Sequence, residues 1–344
     1  MRKQNGVKQS CGFLTAALAV LVMANAAAAQ TASFQGKQIR MIIPSGAGGG
    51  YDTYARALAA HLDKHLPGNP TILNQNMPGA SGMIATNWAA SEAAPKDGTV
   101  IVATYNALLL EPLFDNPQAK YDPRKFEWIG SIGKQQQICV TWHASPVKTI
   151  EHAKEREVVV SSTGATGNSS TMPKMLNAML GTKFKVVSGY TTSESRLAVE
   201  RGEAEGVCGL SYSTLKASNP DWILNKRINV LVQTGSKPQQ GLEQVPLLIN
   251  LVSDADTKKV LEMLASPEDM GRPFFMPPGT PKEYVAAMRK AFDETLKDPA
   301  FLADAEKSRL EVDPISGAEM EKMVKAAFET PKALIERASK FKGE

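Results

Sequence analysis

The chain has 344 residues, of which 43% are hydrophobic and 22% charged, with a formal net charge of +4. That length suggests two domains, and so apolar a composition with so small a net charge excludes a disordered chain. An aromatic content of 6%, with no basic stripe interleaved with rings, argues against a nucleic-acid binder.

The first thirty residues read as a leader. Arg2, Lys3 and Lys8 supply positive charge, Cys11 to Met23 is apolar, and Ala27-Ala28-Ala29 offers a small-residue cleavage site. The apolar run is shorter than the ~20 residues that a bilayer crossing needs. Residues 1–29 are therefore expected to be a signal peptide, with the exported chain starting near Gln30. Cys11 precedes the apolar run, so the leader is not of the lipoprotein kind. The leader holds three basic and no acidic residues, so its removal lowers the net charge from +4 to +1. No later apolar run is long enough to span a membrane, which predicts a soluble mature chain. Two cysteines remain, Cys139 and Cys208, both in strand-like segments. Each can be a small buried hydrophobe, or the two can bridge in an oxidising compartment.

In chain order, Ile39 to Pro44 reads as a strand that ends in glycines, Gly46 to Gly50. Asp52 is expected to be the N-cap of the helix that follows. Tyr54, Leu58, Leu62 and Leu66 give that helix one apolar face, and Pro67-Gly68 ends it. Thr71 begins a second strand. Pro78 to Gly82 forms a turn before an alanine-rich helix, and Thr99 to Thr104 is a buried strand. A second unit of this kind starts near Gln137, with strands at Gln137 to Trp142 and Val158 to Ser162. A small-residue loop, Thr163 to Ser170, then opens a helix through Met175, Leu176 and Met179. Met172, Met175 and Met179 form a helical stripe that reads as core rather than ligand pocket. After a strand at Asn229 to Gln233 the remainder reads as mostly helical, with helices at Pro281 to Asp298, Pro299 to Lys307 and Gly317 to Phe328. Alternating strands and helices predict an α/β protein, and the missing linker predicts lobes joined by crossing strands.

The two loops carry the chemistry. Glycines leave backbone N–H groups open, and the N-terminus of the following helix adds partial positive charge, which suits an anion. The first loop is neither a dinucleotide fingerprint, since Tyr51 stands at its last glycine position, nor a P-loop. Catalytic signals are thin. Gly79 to Met83 misses the nucleophile-elbow pattern at Met83. His61 and His65 lack the zincin glutamate, with Leu62 in its place, and His143 and His152 have no paired ligand spacing. No cofactor or metal is expected.

The runs IIPSGAGGGYDTYARALAAHL and NMPGASGMIATNWAASEAAPKDGTVI resemble the opening of the receptors of tripartite tricarboxylate transporters, the Bug-type extracytoplasmic receptors. GATGNSS, VVSGYTTSESRLAVERGEAEG and RPFFMPPGTPKEYVAAMRKAF extend the resemblance, in the same order, over nearly all of the mature chain. It implies a type II periplasmic-binding-protein fold, two α/β lobes joined by crossing strands with a ligand cleft between them. The lobes expected are 30–136 with 236–344, and 137–235. It also implies a monomeric periplasmic receptor that captures a small carboxylate, a di- or tricarboxylate or related organic acid, and delivers it to membrane permease subunits. The ligand-binding residues implied are Ser45, Gly46, Ala47, Gly48, Gly49, Gly50, Tyr51 and Asp52 in the first loop, and Ala80 and Ser81 in the turn. Thr166, Gly167, Asn168, Ser169 and Ser170 in the second loop complete them, with Tyr190. Thr171-Met172 stands where family members often carry a histidine, and Ser45-Gly46-Ala47 where many carry Phe-x-x, so the identity of the carboxylate stays open. The alternatives are an exported hydrolase using Ser81 or Ser169, and a sensor subunit that presents its ligand.

Overall fold

The computed structural model describes residues 32–164, 167–235 and 237–342. The expected leader and Thr166 lie outside the described residues. The strands are β1 (Gln38–Ile43), β2 (Thr71–Asn76), β3 (Val100–Ala103), β4 (Glu127–Ser131), β5 (Gln137–Trp142), β6 (Val158–Ser162), β7 (Phe184–Ser188), β8 (Gly206–Ser211), β9 (Ile228–Gln233), β10 (Pro273–Met276) and β11 (Ile315–Ser316). The helices are α1 (Gly50–Leu62), α2 (Met83–Ala90), α3 (His152–Glu155), α4 (Asn168–Leu180), α5 (Thr192–Glu200), α6 (Tyr212–Ser218), α7 (Pro220–Leu224), α8 (Ala255–Met270), α9 (Lys282–Thr295), α10 (Pro299–Lys307), α11 (Gly317–Phe328) and α12 (Lys332–Lys342).

They build two sheets. The first has six strands in the order β11-β4-β10-β3-β1-β2, and the second five in the order β7-β6-β8-β5-β9. In the first sheet β1 lies parallel between β2 and β3, and in the second β6 lies parallel to β7 and β8. The chain leaves the first sheet after β4 and returns to it at β10. β10, the tetrapeptide PFFM, falls in the stretch that reads as mostly helical. It is instead a central strand, antiparallel to both β3 and β4. All four of its residues are buried, so continuous burial replaces the alternation that marks a strand in sequence.

Both faces of each sheet are covered, as parallel strands require. On one face of the first sheet Met41, Ile43 and Ile101 meet Tyr54, Leu58 and Leu62 of α1 and Met288 and Phe292 of α9. On the other, Ile42 and Val102 meet Met83 of α2 and Met320 of α11. The second sheet packs Cys139, Val158 and Val160 on Met172 and Leu176 of α4, and Ile138 and Val207 on Leu215 and Trp222. Leu248, Val252 and Leu261, from the segment 236–344, also pack into this second core. Cys139 and Cys208 pair across β5 and β8 and form a disulfide. α1 ends at Leu62, one turn earlier than the spacing predicts, because a 3₁₀ turn follows at Asp63–His65.

Candidate functional site

β1 delivers the first loop at its C-terminal end, where open α/β sheets bind ligands. The N-cap of α1 is Gly49, which makes no side-chain cap bond. The expectation for Asp52 is corrected accordingly. It is the third residue of the helix and reaches back to accept the Gly48 N–H at 2.9 Å. Its other oxygen accepts from Arg56 Nε and Asn76 Nδ2, each at 2.8 Å. Burial raises the Asp52 carboxyl, but the hydrogen bonds from Arg56, Asn76 and Gly48 outweigh it and hold the group below the usual range. Asn76 Nδ2 also donates to the Ser45 carbonyl at 2.8 Å, which fixes the entry to the loop. Within the loop, Gly49 N–H donates to Gly46 O at 3.3 Å. Gly46, Ala47 and Gly48 are exposed, whereas Ser45, Tyr51 and Asp52 are buried.

Asp52→Ala should therefore cost about 2–3 kcal/mol, since it orphans a loop N–H and two side-chain donors. Because the folded carboxyl is held low, its contribution is present at neutral pH. It is lost as pH falls below the unfolded value of about 4 toward the folded one. Urea titrations at pH 7 and pH 3 check this: the gap between wild type and variant should narrow in acid. A constant gap would show that the charge on Asp52 is irrelevant.

The turn expected to contribute Ala80 and Ser81 adjoins this loop. Gly79, Ala80, Ser81 and Gly82 all have positive φ, at 127°, 44°, 52° and 85°. Two non-glycine residues held there store strain, a feature of sites that present backbone groups. Ala80 and Ser81 are exposed. Gly82 is required by space as well, because a Cβ there would lie 2.4 Å from the Tyr105 ring. Tyr105 stacks edge-on against Tyr51 at 4.5 Å between centroids, so it joins the loop to the turn. The Tyr51 hydroxyl is itself occupied. It donates to Gln135 Oε1 at 2.6 Å and accepts the Asn106 N–H at 3.1 Å, and burial pushes the phenol up.

The second loop follows β6 in the same way, with Gly167 as the N-cap of α4. The hydroxyls of Ser162, Ser169 and Ser170 turn inward. Ser162 Oγ lies 3.0 Å from Ser169 Oγ and 2.7 Å from Ser170 Oγ, and Ser169 Oγ accepts the Thr163 N–H at 3.0 Å. Ser169 and Ser170 are buried, and Gly167 and Asn168 half-buried. The start of α4 rests on β8 at Gly209, where a Cβ would lie 2.3 Å from Asn168 O. Tyr190 joins this end by donating its N–H to Ser162 O at 3.3 Å. The structure thus gathers the expected residues other than Thr166 into two groups, one at the end of each sheet.

What ties the first group to the second sheet is a contact absent from the sequence reading. A Cβ on Gly50 would lie 2.8 Å from Thr214 Oγ1 of α6. Beside it, Arg272 is 1% exposed. Its Nη2 donates to Ser211 Oγ, Ser213 Oγ and Thr214 Oγ1 at 3.1, 2.8 and 3.2 Å, and its Nη1 to Lys134 O at 3.1 Å. The guanidinium lies 4.0 Å from the Tyr54 ring centroid. No carboxylate pairs with Arg272 among the described residues, and its Nε has no hydrogen-bond partner. In sequence Arg272 stands only as the first residue of the RPFFMPPG run, with no period or spacing that assigns it a role.

A cavity of about 440 Å³ lies between α4, α8 and the segment after β3. Of the expected residues only Asn168 lines it, but Met172 and Met175, expected to be core alone, form part of its wall. The histidines serve elsewhere. His61 is buried and bonds to Asp304 at 3.0 Å, and His65 bonds to Asp298 at 3.1 Å, tying α1 and the 3₁₀ turn after it to the α9–α10 region.

Residues 54–339 match the model of the tripartite tricarboxylate transporter family receptor. A UPF0065 protein of Bordetella bronchiseptica is 24% identical over 309 residues, covering 87% of this chain and 85% of its own. The periplasmic binding protein BugD has a similar structure, with a TM-score of 0.67 and 20% identity, over 88% of this chain and 97% of its own. Rpa4515 of R. palustris, solved with adipate, gives a TM-score of 0.66 and 19% identity, over 89% and 97%. These structures share the two-lobed α/β fold of periplasmic binding proteins. The family consists of periplasmic solute-binding receptors and not of enzymes, and with more than three quarters of its length matched, this chain belongs to the tripartite tricarboxylate transporter receptor family.

Proposed function

We propose that this receptor captures a small di- or tricarboxylate, or a related organic acid, and delivers it to the membrane permease of a tripartite transporter. The observation that carries the reading is the pair of glycine-opened helices, α1 and α4, each following a parallel strand and each preceded by a loop without a basic side chain. Open backbone N–H groups at two helix N-termini can hold a carboxylate with charge-assisted bonds. The strained turn at Ala80 and Ser81 adds a third set of exposed backbone groups. Adipate in Rpa4515 is a dicarboxylate of the class proposed.

A thermal-shift screen over mono-, di- and tricarboxylates tests the reading, followed by calorimetry on the best of them. One class should raise the unfolding temperature, with an affinity that depends little on salt, since no exposed cation is involved. Gly49→Val should weaken binding by crowding the loop backbone. Ser169→Val should weaken it by a different route, releasing the Thr163 N–H and loosening the second loop. Wild-type affinity in both variants would remove the loops from the site.

A further inference from the structure

We propose that the cavity between α4 and α8 binds a protonated organic amine, with its apolar body on the methionine and leucine wall and its ammonium at Glu268. This goes beyond the carboxylate reading and does not rest on it. The first loop and the Ala80–Ser81 turn do not line this cavity.

The wall is mainly apolar, with Met172, Met175, Leu261 and Leu264 from the two helices, and its volume falls in the usual range of about 300–1,000 Å³ for small-molecule sites. Its titratable groups are all acids. Glu111, Glu262, Glu268 and Asp269 line it, and no lysine, arginine or histidine does among the described residues. Such a lining repels an anion and favours a cation.

Glu268 gives the site a specific anchor. Its Oε2 lies 2.5 Å from Thr234 Oγ1 and 3.4 Å from the Gln137 nitrogen. The same Thr234 hydroxyl lies 3.1 Å from Gln137 O, which can only accept. A hydroxyl has one proton, and at the shorter distance it goes to Glu268, so the Thr234 hydroxyl and the Gln137 N–H both donate to the carboxyl. Burial outweighs these two bonds and pushes the Glu268 carboxyl up to about 8. The acid is thus held neutral for want of a counter-ion, and no protein group among the described residues bonds its Oε1. An ammonium placed at that oxygen would restore the carboxylate, forming an ion pair and releasing one proton to solvent. The charged groups around Glu268 are Asp269 beside it, Glu111 and Glu262 on the cavity wall, and Lys134, which acts on Asp269.

Calorimetry with n-hexylamine, hexanoate and 6-aminohexanoate tests this on the full mature chain. Both amines should bind at pH 7, with a heat that varies with the buffer because a proton is released. Hexanoate should not bind this cavity. Glu268→Gln should lower amine affinity about tenfold or more, as expected when a charge-assisted bond is lost. Met175→Trp, which fills the cavity and leaves Glu268 in place, should abolish amine binding. Tighter binding of 6-aminohexanoate than of hexylamine would assign the amine to a zwitterionic ligand that also reaches the α4 N-terminus at Asn168. Equal affinity would assign it to a separate amine. The proposal is overturned if neither amine binds at millimolar concentration, or if hexanoate competes with hexylamine at equal affinity in a Glu268-dependent way. Failure of every di- and tricarboxylate in the separate screen would sink the loop reading and leave this one untouched.

Discussion

Gly50→Val should weaken carboxylate binding about a hundredfold while shifting the unfolding temperature by only a few degrees. The basis is a single contact between lobes. A Cβ at Gly50 would stand 2.8 Å from Thr214 Oγ1 and 3.1 Å from its Cγ2. Thr214 cannot swing aside freely, because it is β-branched and its hydroxyl accepts from Arg272. The overlap is relieved only by holding α6 away from the start of α1. Overpacking of this kind costs about 1–3 kcal/mol, and here it falls on the arrangement in which the two sheets approach. Neither core is touched, so folding should be spared. Calorimetry and thermal unfolding of the same sample separate the two effects. Equal loss of both would mean that Gly50 matters for folding, and loss of neither would mean that capture does not bring α1 against α6.

Arg272→Lys should destabilise the protein more than Arg272→Met, the reverse of what conservation of charge suggests. The guanidinium uses its fork to meet three hydroxyls and a carbonyl while lying on the Tyr54 ring. A lysine would bury a more strongly hydrated charge with fewer donors in reach. Its loss should be about 3–5 kcal/mol, the range for a buried charge stripped of its partners. Methionine removes the charge and keeps much of the length. The Ser211 and Ser213 hydroxyls, 3.0 Å apart, can then satisfy each other, which limits the loss to about 1–2 kcal/mol. Urea denaturation of the two variants gives the order directly. If methionine proves the worse replacement, the buried charge is balanced by something other than hydroxyls and a ring.

Much of this architecture is legible in the sequence because its signals are local. The strand at Ile39 to Pro44, the glycines after it and the Tyr54, Leu58 and Leu62 face of α1 each follow from neighbours in the chain. So do the helices near Pro281, Pro299 and Gly317, of which the second opens on its proline and the first begins just after its own. The departures depend largely on partners distant in sequence. β10 reads as no strand, because PFFM is buried on both faces. Asp52 suits an N-cap by position, yet Asn76 on β2 joins Arg56 and the Gly48 N–H around its carboxylate, and that partner is not local. Met172 and Met175 pack into the second core as their spacing predicts, and that they also wall a cavity is decided by α8, some eighty residues away. The pairing of Gly50 with Thr214, and of Arg272 with the turn after β8, is likewise set by how two sheets meet.

The bond between Cys139 and Cys208 gives the second sheet an unusual tolerance of a broken backbone. Its two ends are 69 residues apart in sequence, and that interval holds β6, β7, α4 and α5, including the whole of the second loop. A protease that cuts at the exposed turn after α5, at Arg201, would leave both pieces of this lobe joined through neighbouring strands. On a denaturing gel the nicked chain should run as one species without reductant and as two with it. Nicking and capture then become separable: a receptor cut at that turn can keep β5 and β8 in register, hold its loops in place and go on binding.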